Sequence, residues 1–320
     1  MIKTPLTRWF DLTTPIIGAP MAGVAGGELA RAVSAAGGLG MIGISGSASP
    51  DFVTEQCAIP AADLLPFGVG LMIWVLETRP ELFEATVAAA PSLVSVSFGD
   101  PAPWVGPLHD AGIAAVSQVN TTVDAHRALE AGVDVLVVQG TEGGGHTGRR
   151  AMLPLLQEVL TLTDRPVVAA GGIATGGGMA AALVAGAAGV WIGTPLLSCT
   201  EGLNSPAARE RIRAASGDET VLTRAFDVAE GIAWPERWPG RALVNDFSRT
   251  WHGREDELVH DAAARQRVVD GRRTGDPANA PLYAGESVGL VRTERSATDV
   301  VRELDADAEK ALRAASKLLG

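Results

Sequence analysis

Eight short apolar runs, most of them rich in β-branched residues, recur through the first 194 residues: TPIIGAP (14–20), LGMIGI (39–44), FGVGLMI (67–73), LVSVSF (93–98), AAVSQVN (114–120), VLVVQG (135–140), PVVAAGG (166–172) and GVWIGT (189–194). They lack strict alternation of apolar and polar residues. Strands that read this way are buried on both faces, the condition of a parallel sheet covered by helices. Between the runs lie stretches with helical spacing, such as Leu29, Val33 and Ala36 at i, i+4, i+7, and Ala125, Ala128 and Leu129 at i, i+3, i+4. Ser49 before Pro50 suits an N-cap followed by proline at the first helical position. Ala-Gly pairs at Ala36-Gly37, Ala111-Gly112, Ala131-Gly132 and Ala185-Gly186 stand just ahead of strands, where a helix must stop and reverse.

Strands alternating with helices in this way predict an α/β fold, a closed (β/α)8 TIM barrel of about 250 residues plus an addition. An open doubly wound sheet is the alternative. The chain has 320 residues, 47% of them hydrophobic and 20% charged, enough to bury a large core. The pattern changes after Thr194: residues 201–284 are richer in Arg, Asp, Glu and Trp and contain turn-forming WPERWPG (234–240) and TGDPANAP (274–281). We read 201–284 as a mostly helical inserted second domain, with residues 1–200 and 285–320 forming the barrel. The amphipathic tail from Asp299 supplies the last barrel helix. Trp234 and Trp238 are expected to anchor the insertion, with the lining of a pocket as their other role.

A formal net charge of −11 leaves no basic stripe to neutralise phosphodiester backbones, so neither nucleic acid nor an anionic membrane surface is an expected partner. The opening MIKTPLTRWFDL lacks the apolar stretch of a signal peptide, and no charge-free run reaches the ~18 residues of a spanning helix. The expected location is cytoplasmic. Cys57 and Cys199 are too few and too far apart for a disulfide framework, which suits a reducing compartment. No His-Glu-x-x-His, paired-cysteine or dense acidic motif is present, so no metal is expected.

The active site of such a barrel is assembled from loops at the carboxyl ends of the strands. Here the loop after the sixth strand reads QGTEGGGHTG (139–148): glycines that let backbone approach a ligand, and one imidazole, His146. His109 and His126 fall in helical stretches, and His252 and His260 in the polar insertion. Gly171-Gly172 after the seventh strand and Gly193-Thr194 after the eighth occupy the two loops that often bind phosphate in barrels through backbone N–H groups.

Gly18-Ala19-Pro20-Met21-Ala22-Gly23, Ala36-Gly37-Gly38-Leu39-Gly40, QGTEGGGHTG and the AAGGIA and GT loops, in this order, resemble the nitronate monooxygenase family, formerly called 2-nitropropane dioxygenases. The resemblance runs through the barrel and extends weakly to YAGESVGLV (283–291). It implies FMN at the barrel mouth. Ala19, Pro20 and Met21 would pass along the isoalloxazine ring, Gln139 and Gly144 would contact it, and Gly70, Gln118, Gly145 and Gly171 would be further cofactor positions. Gly172, Trp191, Ile192, Gly193 and Thr194 would hold the phosphate end, and His146 would act near flavin N5. The implied reaction is oxidation of an alkyl nitronate by O2 to a carbonyl compound and nitrite. The same scaffold resembles enoyl-acyl-carrier-protein reductases and quinone reductases, which implies NAD(P)H as an alternative reductant of FMN. A phosphate-ligand binding protein without catalysis is a third reading.

Two positions depart from the family's usual residues. Gly70 stands where an asparagine is usual and Trp191 where a glutamine is common, which removes two polar contacts to the cofactor. Tyr283 is the single tyrosine, and the tyrosine and lysine that one branch of the family carries are not recognisable in YAGESVGLV.

Overall fold

A computed structural model describes residues 1–319. Each of the eight apolar runs carries one parallel strand: β1 (Ile16–Gly18), β2 (Gly40–Gly43), β3 (Phe67–Met72), β4 (Leu93–Ser97), β5 (Ala114–Val119), β6 (Val135–Gln139), β8 (Val167–Ala170) and β9 (Gly189–Ile192). Their order is β1-β9-β8-β6-β5-β4-β3-β2. The two ends of this sheet meet through a parallel bridge between Ile17 and Leu39, where Leu39 N–H donates to Ile16 C=O and Gly18 N–H to Leu39 C=O, each at 2.9 Å. That seam makes the sheet a barrel rather than an open doubly wound layer.

The missing alternation now has its reason. Ile17, Leu39, Met41, Leu93, Val116, Val135, Val137, Val168 and Trp191 fill the barrel's interior. Their neighbours Ile16, Ile42, Val94, Leu136, Val138 and Val190 pack outward against Leu29, Val33, Leu108, Leu155 and Val159 of the surrounding helices. Both pleat faces are apolar because both are covered. Toward the strands' carboxyl ends the inward positions, two residues apart along each strand, change to Gly70, Ser97, Gln118 and Gln139.

The other end is closed by the short helix Pro5–Trp9, N-capped by Thr4, which buries Leu6. The 20-residue helix Ala297–Ser316, capped by Ser296, packs on the helices Gly176–Val184 and Gly27–Ala35 and completes the ring. None of the described helices is long and apolar enough to cross a membrane, and the described residues hold no group of three or more potential metal ligands. Cys57 and Cys199 are buried, and burial pushes both thiols up to about 12, which suits packing rather than reactivity.

The segment after Thr194 holds the helices Pro206–Ala214, Ala225–Glu230, Asp246–Trp251, Glu255–Leu258 and Ala262–Thr274. It also holds something its sequence does not signal: an antiparallel pair, β10 (Thr220–Thr223) and β11 (Gly240–Leu243). A third strand, β7 (Gly145–His146), joins β11 from the loop after β6. A strand reading Gly-Arg-Ala-Leu has little β-propensity of its own and forms because tertiary partners are there to pair with it.

Gly40 illustrates how closely the layers approach. A Cβ at Gly40 would stand 2.0 Å from the Ala30 carbonyl oxygen and 2.5 Å from the Ala30 Cα, backbone atoms of the covering helix. Gly40→Ala should therefore destabilise the protein by about 1–3 kcal/mol, read as a lower midpoint in urea with the slope unchanged.

Candidate active site

After β6 the chain turns back over the mouth. Thr141 N–H donates to Arg150 C=O at 2.7 Å and Gly143 N–H to Gly140 C=O at 3.0 Å. Gly145 then takes a left-handed φ of +72°, a conformation that favours glycine, and β7 pairs with β11. The loop is pinned from both sides. Arg241 Nε donates to Thr141 C=O at 2.7 Å while its Nη2 pairs with Glu286 at 3.1 Å. On the barrel side, Gln118 Nε2 donates to Gln139 Oε1 at 2.7 Å, and Asn120 Nδ2 donates to the same oxygen and to the Gln139 carbonyl, both at 3.1 Å.

His146 is delivered into an enclosure. Its Nε2 lies 2.9 Å from Asp227 Oδ1, and the two side chains are only 9% and 6% exposed. The Trp234 indole stacks on the imidazole face, with centroids 3.6 Å apart and planes 9° from parallel. Tyr283 lies 5.3 Å away on another side, its hydroxyl 3.5 Å from Asp227 Oδ1. Behind Trp234 stand Trp74 at 5.1 Å and Phe98 at 4.9 Å, and Phe98 meets Trp238 edge-on at 5.3 Å. Phe98 holds a φ of +65° at the end of β4, an unusual conformation for an aromatic residue. Gly240 makes room beneath: a Cβ there would reach within 2.7 Å of Tyr283 Cε1 and 3.4 Å of His146 Nε2.

Ala19, Pro20 and Met21 form a turn at the end of β1, held by Ala19 N–H donating to Ile192 C=O at 2.8 Å and Met21 N–H to Ala19 C=O at 2.9 Å. They are half-buried, as are Gly70, Gln118, Gln139, Gly144, Gly145, Gly171 and Gly193, and all border the mouth. Gly70 has a packing reason: a Cβ would come within 2.4 Å of the Pro20 ring, so no larger residue fits while Pro20 stays. Trp191 lies elsewhere than its neighbours in sequence suggest. It is buried in the interior cluster with Ile17 and Val168, while Ile192 packs outward. The Thr194 hydroxyl accepts from Gly285 N–H at 3.0 Å, tying the returning segment to the mouth.

The donor set suits the phosphate of a flavin mononucleotide. Gly171 and Gly172 hold consecutive left-handed φ values of +103° and +69°. Among the described residues, the amides of Gly171, Gly172, Gly193 and Thr194 donate to no backbone carbonyl. Unpaired N–H groups on adjacent strand ends are anion donors. The nearby Glu142 carboxylate is already engaged, accepting from Met152 N–H at 3.0 Å at the start of the helix Met152–Leu160.

A family model described as nitronate monooxygenase matches residues 3–85 and 81–307. The chain belongs to the nitronate monooxygenase family. It is thus an oxidoreductase of a flavin-enzyme family. Nitronate monooxygenase npaC of Metarhizium robertsii is 33% identical over 338 residues, covering 90% of this chain and 89% of its own. The (3aS,4S,5R,7aS)-5-hydroxy-7a-methyl-1-oxo-octahydro-1H-indene-4-carboxyl-CoA dehydrogenase of Mycobacterium tuberculosis is 27% identical over 353 residues, covering 99% of each chain. Among solved structures, FabK from Thermotoga maritima superposes with a TM-score of 0.87 at 27% identity, covering 99% of this chain and 100% of that one.

Of the groups around His146 in this nitronate monooxygenase family barrel, Trp234 and Tyr283 stand out in the sequence, Trp234 as an anchor or pocket-lining residue and Tyr283 as the single tyrosine, whereas Asp227, 81 residues beyond His146 in a segment rich in acidic residues, does not. Nothing local distinguishes that aspartate from its neighbours.

Tyr283 offers a direct check on the enclosure. Burial, and then the negative charge of Asp227, raise its phenol well above the usual 10.0. The unfolded chain ionises first, so stability carried by the neutral phenol is whole below pH 10 and declines as pH rises past it. As Tyr283 is the single tyrosine, tyrosinate absorbance should stay absent at about pH 11, where a free phenol is largely ionised, and should appear only with unfolding.

Proposed function

We propose that this protein binds FMN at the barrel mouth and oxidises alkyl nitronates with O2 to a carbonyl compound and nitrite. One observation carries the reading: an enclosed imidazole, His146, shares the mouth with free amide donors at Gly171, Gly172, Gly193 and Thr194. Those amides would hold the phosphate. The backbone of Ala19, Pro20 and Met21, with Gly70, Gln118, Gln139, Gly144 and Gly145, would border the isoalloxazine ring. Bound FMN supplies the electron transfer and the reaction with O2. His146 would hold the anionic nitronate or take a proton from an activated carbon. Trp74, Phe98, Trp234 and Trp238 would limit water at the reacting centre.

A second reading has an observation of its own. The likeness to a carboxyl-CoA dehydrogenase and to FabK spans essentially the whole chain, which favours a reductase using NAD(P)H to reduce FMN and acting on a thioester or quinone. Anaerobic mixing separates the two. Flavin absorbance bleached by a nitronate alone supports the oxidation, bleaching only by NADH or NADPH supports the reductase, and a protein that takes up no FMN refutes both.

Two substitutions sharpen the assignment. His146→Ala should reduce turnover about 10²-fold or more while FMN absorbance is kept; an unchanged rate in every flavin reaction removes His146 from the chemistry. Gly171→Ala with Gly172→Ala forces side chains onto left-handed backbone at a cost of about 1–2 kcal/mol per residue. FMN affinity should fall about tenfold or more, measured by fluorescence titration.

A further inference from the structure

Resting on the reading of His146 as the reacting imidazole, we propose that Asp227 is its positioning residue. The buried carboxylate keeps the proton on Nε2 and thereby makes Nδ1 the nitrogen that exchanges a proton, or a hydrogen bond, with the substrate.

The geometry is that of a clamp. Asp227 Oδ1 holds the Nε2 edge at 2.9 Å, Trp234 covers one face with ring centroids 3.6 Å apart, and Gly240 lies near enough that a Cβ there would stand 3.4 Å from Nε2 and 3.5 Å from Cε1. A half-turn of the ring would replace the Nε2 contact with a carbon and leave the carboxylate without its closest donor. Among the described residues Nδ1 has no hydrogen-bond partner, so it is the free nitrogen. In a neutral imidazole one nitrogen donates and the other accepts, and a carboxylate on one fixes the lone pair on the other.

Among the described residues no lysine or arginine pairs with Asp227. Glu230 and Arg272, which lie nearby, engage one another, with Arg272 Nη2 donating to Glu230 at 2.9 Å. A buried carboxylate needs donors, and those of Asp227 are His146 at 2.9 Å and the Tyr283 hydroxyl at 3.5 Å. The arrangement is therefore dedicated to the imidazole. A second pair in the same chain provides the contrast. His109 Nε2 lies 2.8 Å from Asp134 Oδ2, yet the imidazole is 43% exposed, and the same carboxylate oxygen also accepts from Ala115 N–H. That pair ties a helix to a strand on the surface.

When Nδ1 takes a proton from substrate, the substrate carbon keeps the electron pair. The resulting imidazolium carries its charge against the Asp227 carboxylate. When the substrate is already an anion, the same nitrogen, protonated, donates to it. Both uses require Nδ1 to face the substrate, and the clamp fixes the ring that carries it.

The test uses the full-length FMN-loaded protein. In the wild type, the His146 Nε2–H bonded to a buried carboxylate should give a slowly exchanging proton resonance well downfield of the amides, absent in His146→Ala and in Asp227→Ala. Asp227→Asn keeps the shape but can donate to Nε2 and stabilise the tautomer with its proton on Nδ1. It should lower kcat about 10–100-fold, leave KM and flavin absorbance within about twofold, and be partly rescued by Asp227→Glu. Full turnover in Asp227→Asn beside an inactive His146→Ala overturns the role of Asp227 alone. Full turnover in His146→Ala overturns the reading beneath it. The wild-type resonance decides the case even where an Asp227 variant fails to fold, since its absence refutes the bond.

Discussion

The pairing of β7 with β11 involves only Gly145–His146 opposite Gly240–Arg241, yet the arrangement of the whole mouth follows from it. Without that ladder the loop after β6 is a glycine-rich excursion with no fixed course, because a chain of glycines has the most conformational freedom to lose on ordering. With it, His146 is registered against a strand whose own segment supplies Asp227, Trp234 and Tyr283. Arg241 reinforces the register by bonding back to Thr141 across the ladder. Gly240 permits it by leaving space for two rings.

The buried charges around this ladder contribute order more than stability. Arg241 is 10% exposed and its partner Glu286 is half exposed. Burial pushes the Glu230 carboxyl upward even though Arg272 stands beside it. Removing such groups from water costs about as much as their attraction returns, so pairs of this kind fix geometry rather than add net free energy. The barrel's apolar interior and its covered outer face supply the burial that holds the fold, which leaves the mouth free to be polar.

The barrel is legible in the sequence because its physics is local and repeated. Runs such as VLVVQG and LVSVSF read as strands buried on both faces, and eight of them separated by helical spacing point to a helix-covered parallel sheet, whose closure into a barrel is decided by the seam between Ile17 and Leu39. His146 also stands out in the sequence, as the one imidazole set among glycines after a strand. What lies beyond Thr194 is less so. The helices there are readable, but β10 and β11 exist through pairing across the fold, and a propensity reading passes over them. Asp227 is hidden for the same reason, and its significance rests on a partner 81 residues away. Gly70 and Trp191 read as lost polar contacts in sequence. In the fold Gly70 accommodates the Pro20 ring and Trp191 fills the barrel interior, so each has a packing cause.

Barrels are generally tolerant of exchanging one loop for another, since each loop is rooted in its own strand and helix. The shared ladder withdraws that freedom here. A loop carrying His146 that was transplanted alone into a related barrel would arrive without the strand that aligns it, and residues 225–243 transplanted alone would bring a carboxylate with nothing to hold. The two stretches, residues 139–148 and 225–243, form one heritable unit despite their distance along the chain, and recombination between relatives would have to move them together.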